Sequence, residues 1–294
     1  DIHQMRSDQG GTVTGRFSYS NPNLQQIPAR NAILGPLIRS IFVPEKDCEW
    51  GIFDYSQQEP RLVVHYAALQ EFSGASKFLD AYQEDETTDF HQLVAEIANI
   101  PRKQAKSINL GLFYGMGKGK LMSQLGLNLE DAEDILATYH GRVPFVKQLM
   151  KDTMYKAGKK GYLRTLLGRR CRFDLWEPTN EWGSKALPLK QAKDEYGEHM
   201  IKRAWTYKAL NRLIQGSAAD QTKKAMLDLS KEGYIAHIQV HDELDFSVSS
   251  KKDQERIKEI METSVELLVP NKVDIEIGKS WGDVIDYREY FKHV

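Results

Sequence analysis

The segment that decides the fold is Trp50-Gly51-Ile52-Phe53-Asp54, an apolar run that ends in an acid. Its composition predicts a buried strand. A second acid, Asp242, lies in a turn between two further apolar stretches that also indicate strands. A carboxylate at the end of a buried strand is costly unless it is paired or bound to a metal. Two such acids brought together repel each other, and a divalent cation resolves that repulsion.

One acid at a strand end is weak evidence, because the ordinary explanation for it is a turn cap. Glu243, beside Asp242, is either an accessory acid or a side chain that faces water. A metal-binding role for these acids therefore needs support from other parts of the sequence.

That support comes from a helix predicted between Arg102 and Tyr114. Arg102, Lys106, Leu110 and Tyr114 are spaced by four residues, so they form one slowly drifting stripe. The two cations lie at the N-terminal end, where the helix dipole favours an anion. A polyphosphate would satisfy both features. The alternative is a solvated basic face with Leu110 and Tyr114 packed inward.

The composition sets limits on the class of protein. The chain has 294 residues, 41% of them hydrophobic, which is enough for a sizeable core. Its formal net charge is -1, so any contact with DNA must come from local cationic clusters. Cys48 and Cys171 lack metal-type spacing and fit a reducing cytosol. We find no membrane-spanning stretch or signal peptide, and because Asp1 is not a methionine we expect a fragment or processed product.

Predicted strands lie at both ends of the chain, with a helical block between them. The predicted strands are 38–44, 48–54, 236–240, 244–248 and 273–277, with a hairpin over 161–173. The predicted helices are 59–69, 76–82, 89–98, 102–114, 129–140, 143–157, 200–232 and 253–268. Residues 1–35 and 174–195 are expected to be largely irregular. This order predicts an α+β fold in which an antiparallel sheet carries the acids.

The motifs, taken in order, closely resemble the polymerase region of family-A DNA polymerases, the DNA polymerase I family. The segments that carry the resemblance are Thr14-Gly15-Arg16, Asn23-Leu24-Gln25, Asp54-Tyr55-Ser56, Asp89-Phe90-His91, 102–115, 161–170, Gln215-Gly216 and His241-Asp242-Glu243. Each is weak alone, but the ordered set is very specific. The resemblance implies a right-hand architecture with an antiparallel palm sheet over 1–75 and 195–294. An inserted helical fingers subdomain would span 76–194, with the thumb absent from this chain.

The resemblance also implies roles for individual residues. It implies two Mg²⁺ ions, for which Mn²⁺ can substitute, held by Asp54, Asp242 and the Tyr55 carbonyl. Arg102 and Lys106 resemble the catalytic clamp on the triphosphate. The other residues implied to lie at the nucleotide are His91, Leu110, Tyr114, Tyr55, and Glu59 as a steric gate against a ribose 2′-OH. Those implied to lie near template or primer are Arg16, Asn23, Gln25, Asn211, Gln215 and His241.

Three features depart from the usual family pattern. Leu110 stands where the family usually has Phe or Tyr, a site linked to sugar discrimination. Gln58 and Pro60 replace the usual apolar residues around Glu59. The connection between His91 and Arg102 is short, which resembles phage enzymes and implies a viral protein in the host cytoplasm.

The expected reaction is template-directed DNA synthesis from a primer 3′-OH, with release of pyrophosphate. The expected partners are primer-template DNA, a deoxynucleoside triphosphate, and a thumb and exonuclease portion that precedes Asp1 or is a separate chain. Three alternatives are a family-A polymerase with substantial reverse-transcriptase activity, a catalytically silent DNA-binding subunit and a two-metal nuclease. The acid pair and the two cations argue against a silent subunit, and a nuclease has no need of the cationic stripe.

Overall fold

A computed structural model of the chain describes residues 1–4, 6–7, 10–29, 31–114, 118–181 and 183–293. The chain divides into two compact units. The first, here called the sheet unit, comprises Asp1–Arg61 and Ala218–Val294, and the second, the helical unit, comprises Leu62–Ser217. These divisions differ from the sequence-based boundaries after residues 75 and 194, and the assignment of palm and fingers stays a prediction.

The sheet unit is built around an antiparallel five-stranded sheet. Its strands are β3 (Glu49–Tyr55), β9 (Ile238–Val240), β10 (Glu243–Val248), β11 (Val273–Ser280) and β12 (Asp283–Asp286). They are arranged in the order β12-β11-β3-β10-β9, which places β3 in the middle. A separate pair, β1 (Ile2–His3) with β2 (Ser18–Tyr19), lies in the N-terminal segment. The predicted antiparallel sheet that carries the acids is therefore confirmed.

The two faces of this sheet have different characters. On one face, Phe53 and Tyr55 of β3 pack with Leu244 and Phe246 of β10 in a buried cluster. Strand β11 and two helices, α10 (Ala209–Lys231) and α11 (Lys251–Thr263), add further side chains to that cluster. Because successive side chains of a strand alternate between faces, the acids of β3 and β10 belong to the opposite face. That face carries a second apolar cluster, which contains Trp50, Ile52, Ile238 and Trp281.

The strand predicted over 38–44 is wrong, because helix α1 (Leu34–Arg39) covers its first part. The Asn31 side chain accepts hydrogen bonds from the backbone N–H groups of Ile33 and Leu34, at 3.0 and 2.9 Å. Pro36 follows in the first turn, where its missing N–H costs nothing. The apolar alternation of this segment was thus overridden by a local helix start.

Helices dominate the helical unit, and the predicted ones are confirmed to within a few residues. They are α2 (Gln58–Leu69), which begins in the sheet unit, then α3 (Ala75–Glu84), α4 (Phe90–Ala98), α5 (Arg102–Phe113), α7 (Leu129–Arg142) and α8 (Pro144–Lys160). Helix α6 (Lys118–Leu125) was not predicted as a separate element. The predicted hairpin is also confirmed, as β4 (Tyr162–Arg164) paired with β5 (Arg170–Arg172).

Residues 174–208 differ most from expectation. The segment predicted to be irregular, 174–195, contains β6 (Leu175–Pro178), β7 (Leu187–Pro188) and most of α9 (Leu189–Tyr196), and β6 and β7 form a three-stranded sheet with β8 (Ile201–Arg203). The helix predicted from Met200 begins only at Ala209, because residues 201–203 pair with β6 and Trp205 has a left-handed φ of 58°. Helical periodicity here was overridden by strand pairing across the chain.

The C-terminal elements also extend beyond the prediction. The strand predicted over 273–277 continues to Ser280, and β12 and α12 (Tyr287–His293) follow it. Among the described residues, no helix is both long and apolar enough to cross a membrane.

Gly278 provides a test of this packing. A Cβ atom there would lie 1.6 Å from the backbone oxygen of Asp283 on the neighbouring strand, so β11 and β12 could not keep their spacing. We expect Gly278→Ala to destabilise the chain by roughly 1–3 kcal/mol or more. Urea denaturation followed by circular dichroism would measure this change in the free energy of unfolding.

Gly158→Ala is the control for that measurement. Gly158 lies in α8, and an added Cβ would meet no atom within 4 Å. It should therefore stabilise the chain by about 1 kcal/mol through helix propensity. Equal stability of the wild type and Gly278→Ala would contradict the described register of β11 and β12.

Candidate active site

Strand register in the sheet unit brings the two predicted acids together. Asp54 of β3 lies opposite Glu243, the first residue of β10. The backbone N–H of Tyr55 donates to the carbonyl of Asp242 at 3.3 Å, which places Asp242 beside the end of β3. The buried phenol of Tyr55 donates to the Met261 carbonyl at 2.6 Å, so this side chain is tied into the core.

The carboxylates of this face repel one another. Burial, and then the charges of Asp242, Glu243, Asp274 and Glu276, raise the pKa of Asp54 to about 8. Burial likewise raises the pKa of Asp242, although the positive charge of Arg16 opposes that rise. Each acid is therefore harder to ionise than a free carboxyl, and a bound cation would relieve the cost.

The carboxylates of Asp54 and Asp242 fit a hard divalent cation if other ligands complete its coordination shell. Asp54 and Asp242 offer carboxylate oxygens, the ligand type that Mg²⁺ prefers. Within the described part of the chain, no group of three or more His, Cys, Asp or Glu side chains is arranged to hold a metal ion. Mg²⁺ usually retains several waters and substrate phosphate oxygens, so two protein carboxylates are a sufficient contribution.

Three further acids on this face, Asp245, Asp274 and Glu276, were not singled out in the sequence. The side chain of Asp245 is wholly buried in β10, and burial together with the charge of Glu243 raises its pKa well above the usual range. Glu243 accepts a hydrogen bond from the indole N–H of Trp281 at 3.3 Å, and Glu276 lies on β11. The alternation of Glu243 and Asp245 along one strand was the available signal, since residues two apart share a face.

The predicted gate residue, Glu59, is held by an ion pair. A guanidinium nitrogen of Arg16 lies 2.6 Å from its Oε1. Its other oxygen, Oε2, is buried and makes no hydrogen bond with any residue that the structure describes. Two residues that the family resemblance assigned to different tasks, one to the primer and one to the sugar, therefore contact each other.

Gln58, one of the departures from the family pattern, belongs to a buried amide network. Its Nε2 donates to the side-chain oxygens of Gln221 and Thr222 on α10, at 3.2 Å each. Gln221 in turn donates to Asn271 at 2.8 Å. This network fixes the start of α2, where Glu59 is the next residue.

Some of the other side chains of the sheet unit that are predicted to contact DNA form hydrogen bonds within the protein. The Asn23 side chain accepts from the backbone N–H of Gln25 at 3.1 Å, and Gln25 donates to Gln239 at 3.4 Å. His241 is exposed in the turn before β10, with a φ of 58°. The sequence had suggested these residue types but not their local hydrogen bonds.

In the helical unit, the predicted stripe lies on the exposed side of α5. The buried side of that helix carries Ala105, Ile108 and Phe113. Lys106 is exposed and forms no ion pair with any residue that the structure describes. Leu110 is half-buried, while Tyr114 caps the helix and is 40% exposed, so the stripe is not packed inward.

Arg102 and His91 both donate hydrogen bonds to Asp89, at the beginning of α4. Asp89 caps that helix by accepting from the backbone N–H groups of His91 and Gln92, at 2.8 and 3.2 Å. The same carboxylate accepts from Arg102 Nε at 2.9 Å and Nη2 at 2.5 Å. Burial lowers the pKa of His91 to about 4. The positive charges of Lys106 and Arg102 act in the same direction, whereas the negative charge of Asp89 opposes it. His91 is thus neutral at physiological pH.

Asn211 and Gln215 lie four residues apart on α10, so both occupy one side of that helix, and both are half-buried. The structure therefore groups the predicted residues within each unit. In the sheet unit these are Arg16, Asn23, Gln25, Asp54, Tyr55, Glu59, His241 and Asp242, and in the helical unit His91, Arg102, Lys106, Leu110, Tyr114, Asn211 and Gln215.

Comparison with known proteins gives consistent matches. The family model described as DNA polymerase family A matches residues 2–283. A DNA-directed DNA polymerase of Pseudomonas phage M6 is 39% identical over 92% of this chain and 44% of its own length. DNA polymerase I of Geobacillus stearothermophilus is 36% identical over 96% of this chain and 31% of its own length. The chain thus spans less than half the length of these two relatives.

A solved structure is also similar to the chain. The POL domain of Pol1 from M. smegmatis, in complex with DNA primer-template and dNTP, has a TM-score of 0.74 at 31% identity. The match covers 92% of this chain and 47% of that one. This likeness agrees with the mixed helix and sheet architecture described above.

The raised pKa of Asp54 predicts a pH-dependent stability. Its usual value of 3.8 in the unfolded chain becomes about 8 on folding, so the folded protein binds more protons between these limits. Stability from this group is therefore greatest below about pH 4 and is lost as the pH rises through about 8. We expect Asp54→Asn to be more stable than the wild type, by a margin that grows from pH 5 to pH 9.

Chemical denaturation in the presence of a metal chelator at several pH values would measure this margin. Asp47→Asn is the control, because Asp47 is exposed in the same unit and has a φ of 63° that asparagine readily adopts. A margin that stays constant from pH 5 to pH 9 would contradict the repulsion described among these acids.

Proposed function

Because the chain belongs to DNA polymerase family A, we propose that it catalyses template-directed addition of deoxynucleotides to a primer 3′-OH. The observation that carries the proposal is the juxtaposition of Asp54 and Asp242 at the end of β3, where burial raises both pKa values and the charge of Asp242 raises that of Asp54 further. The solved relative in complex with primer-template and dNTP supports the proposed substrates.

In the proposed mechanism, Asp54 and Asp242 would hold two Mg²⁺ ions, with the Tyr55 carbonyl as a further ligand. When bound, these ions supply Lewis acidity to the primer hydroxyl and to the leaving oxygens. The primer 3′-oxygen attacks the α-phosphorus, the bond from that phosphorus to the bridging oxygen breaks, and pyrophosphate leaves. The positive charge of the two ions would offset the repulsion between Asp54 and Asp242.

We assign the triphosphate to the stripe on α5. Lys106 is an exposed cation with no ion-pair partner in the described part of the chain, so its charge is available to an anion. Arg102 is held in place by Asp89 and keeps its side chain 50% exposed. Fixed charges of this kind offset the negative charge that develops on phosphate oxygens in the transition state.

Sugar selection is assigned to Glu59. The Arg16 ion pair and the Gln58 network hold the carboxylate in one place, and a fixed obstacle excludes a 2′-OH better than a mobile one. Arg16, Asn23, Gln25, Asn211, Gln215 and His241 are proposed to contact primer or template.

Asp242→Asn tests the metal-binding role. Loss of one charged ligand should cost about 4 kcal/mol of transition-state stabilisation, or roughly a 10³-fold slower nucleotide addition. Single-turnover extension of a labelled primer by this chain would measure the rate, with Asp47→Asn as a matched control. A near-normal rate in Asp242→Asn would exclude this role. Strand cleavage without added nucleotides, abolished by the same variant, would instead favour a nuclease.

Lys106→Ala tests the cationic stripe. The rate of the chemical step should fall roughly 10²-fold, as when a single group that stabilises transition-state charge is removed from an enzyme. Arg102→Ala should in addition weaken nucleotide binding. Lys103→Ala is the matched control, because Lys103 is exposed on the same helix but lies off the stripe. Unchanged kcat and KM in the Lys106 and Arg102 variants would overturn the assignment of the triphosphate.

A further inference from the structure

Three buried polar side chains of the helical unit form a hydrogen-bonded chain. Tyr139 on α7 donates from its hydroxyl to Asn109 Oδ1 on α5 at 2.6 Å. Asn109 Nδ2 in turn lies 2.9 Å from His91 Nδ1 on α4. Tyr139 and Asn109 are wholly buried, and His91 is 6% exposed.

The direction of this chain determines which ring nitrogen of His91 carries the proton. An amide N–H group can only donate, so Nδ1 must accept and be unprotonated. A neutral imidazole then carries its proton on Nε2. Nε2 makes no hydrogen bond with any residue that the structure describes, so this donor is uncommitted within the described chain.

Burial of the phenol favours this direction over the reverse. If the Asn109 amide were flipped, its Nδ2 would donate to the Tyr139 oxygen. The phenolic hydrogen would then have no acceptor, because no other side-chain partner of Tyr139 occurs among the described residues. Leaving a buried donor without an acceptor costs more than an ordinary hydrogen bond contributes.

The surrounding charges act on the ring in both directions. Lys106 and Arg102 on α5 oppose a positive charge on His91, whereas Asp89 at the start of α4 favours one. A second proton on Nδ1 would also break the hydrogen bond from Asn109. Burial of the ring and the hydrogen bond from Asn109 therefore both favour the neutral imidazole.

We propose that Asn109 and Tyr139 are positioning residues, which hold His91 as a neutral Nε2–H donor for a phosphate oxygen of the incoming nucleotide. This rests on the proposed function, in which Arg102 and Lys106 bind the triphosphate, and on the family resemblance, which implies that His91 lies at the nucleotide. The cations supply charge, while His91 supplies a directional hydrogen bond that does not vary with pH near neutrality.

Nitrogen NMR of the chain with ¹⁵N-labelled histidine would identify the tautomer. The His91 signals are assigned as those lost in His91→Gln. We expect the wild type to show a protonated Nε2 and an unprotonated Nδ1 from pH 6 to pH 8. A protonated Nδ1 in the wild type would overturn the proposal.

Two variants test whether the hydrogen bonds from Tyr139 through Asn109 determine the protonation of His91. Asn109→Asp replaces the amide by a carboxylate, which accepts from both the phenol and a protonated Nδ1. We expect His91 to become cationic near neutral pH, and the KM for nucleotide to become pH-dependent between pH 6 and pH 8. Tyr139→Phe removes only the hydroxyl oxygen, so this variant can be measured even if Asn109→Asp fails to fold. We expect it to give mixed tautomers and a KM raised roughly tenfold.

Matched controls are Asn128→Asp and Tyr155→Phe. Asn128 is the exposed N-cap of α7, where aspartate can still accept from the backbone N–H of Asp131 but loses the donation to the Asp131 carboxylate, and Tyr155 is 63% exposed. Neither should alter the His91 signals or KM. Altered tautomers in Tyr139→Phe with an unchanged KM and pH profile would overturn the positioning role while leaving the roles of the acids intact. Failure of the proposed function would appear separately, as an undiminished rate in Asp242→Asn.

Discussion

The sheet unit depends on the register of three antiparallel strands, which sets Asp54 opposite both Glu243 and Asp274. That register is fixed from the other face, where Phe53 and Leu244 are buried in the core. A slip of one residue would expose the core and invert the acids, so it is strongly disfavoured. Apolar burial on one face thus holds carboxylates together on the other, against their mutual repulsion.

Nearby cations offset this repulsion only in part. Burial raises the pKa values of Asp242 and Glu243; Arg16 opposes the rise for Asp242, and Arg39, stacked 4.2 Å from the Trp281 ring, opposes it for Glu243. Asp274 has its own ion pair with Lys272. The pKa of Asp54 nevertheless remains about 8, so a cost remains that a bound cation can remove. A site of this kind sacrifices stability for function.

The sequence predicted what depends on local patterns. The apolar run before Asp54 and the four-residue spacing from Arg102 identify β3 and α5, because burial and helix geometry act over short distances. Residues 174–208 could not be predicted in this way, since their strands pair with distant residues. The Arg16–Glu59 pair and the chain through Asn109 join segments far apart in sequence, and no spacing within one segment predicts them.

Helix α5 shows why a motif can carry more information than its exposed residues suggest. Its outer side presents Lys106, whereas its inner side places Asn109 between Tyr139 and His91. A buried asparagine is costly unless it is hydrogen-bonded, and here both ends of the amide are satisfied. The same helix therefore offers an exposed charge to solvent and fixes the proton of a neutral ring.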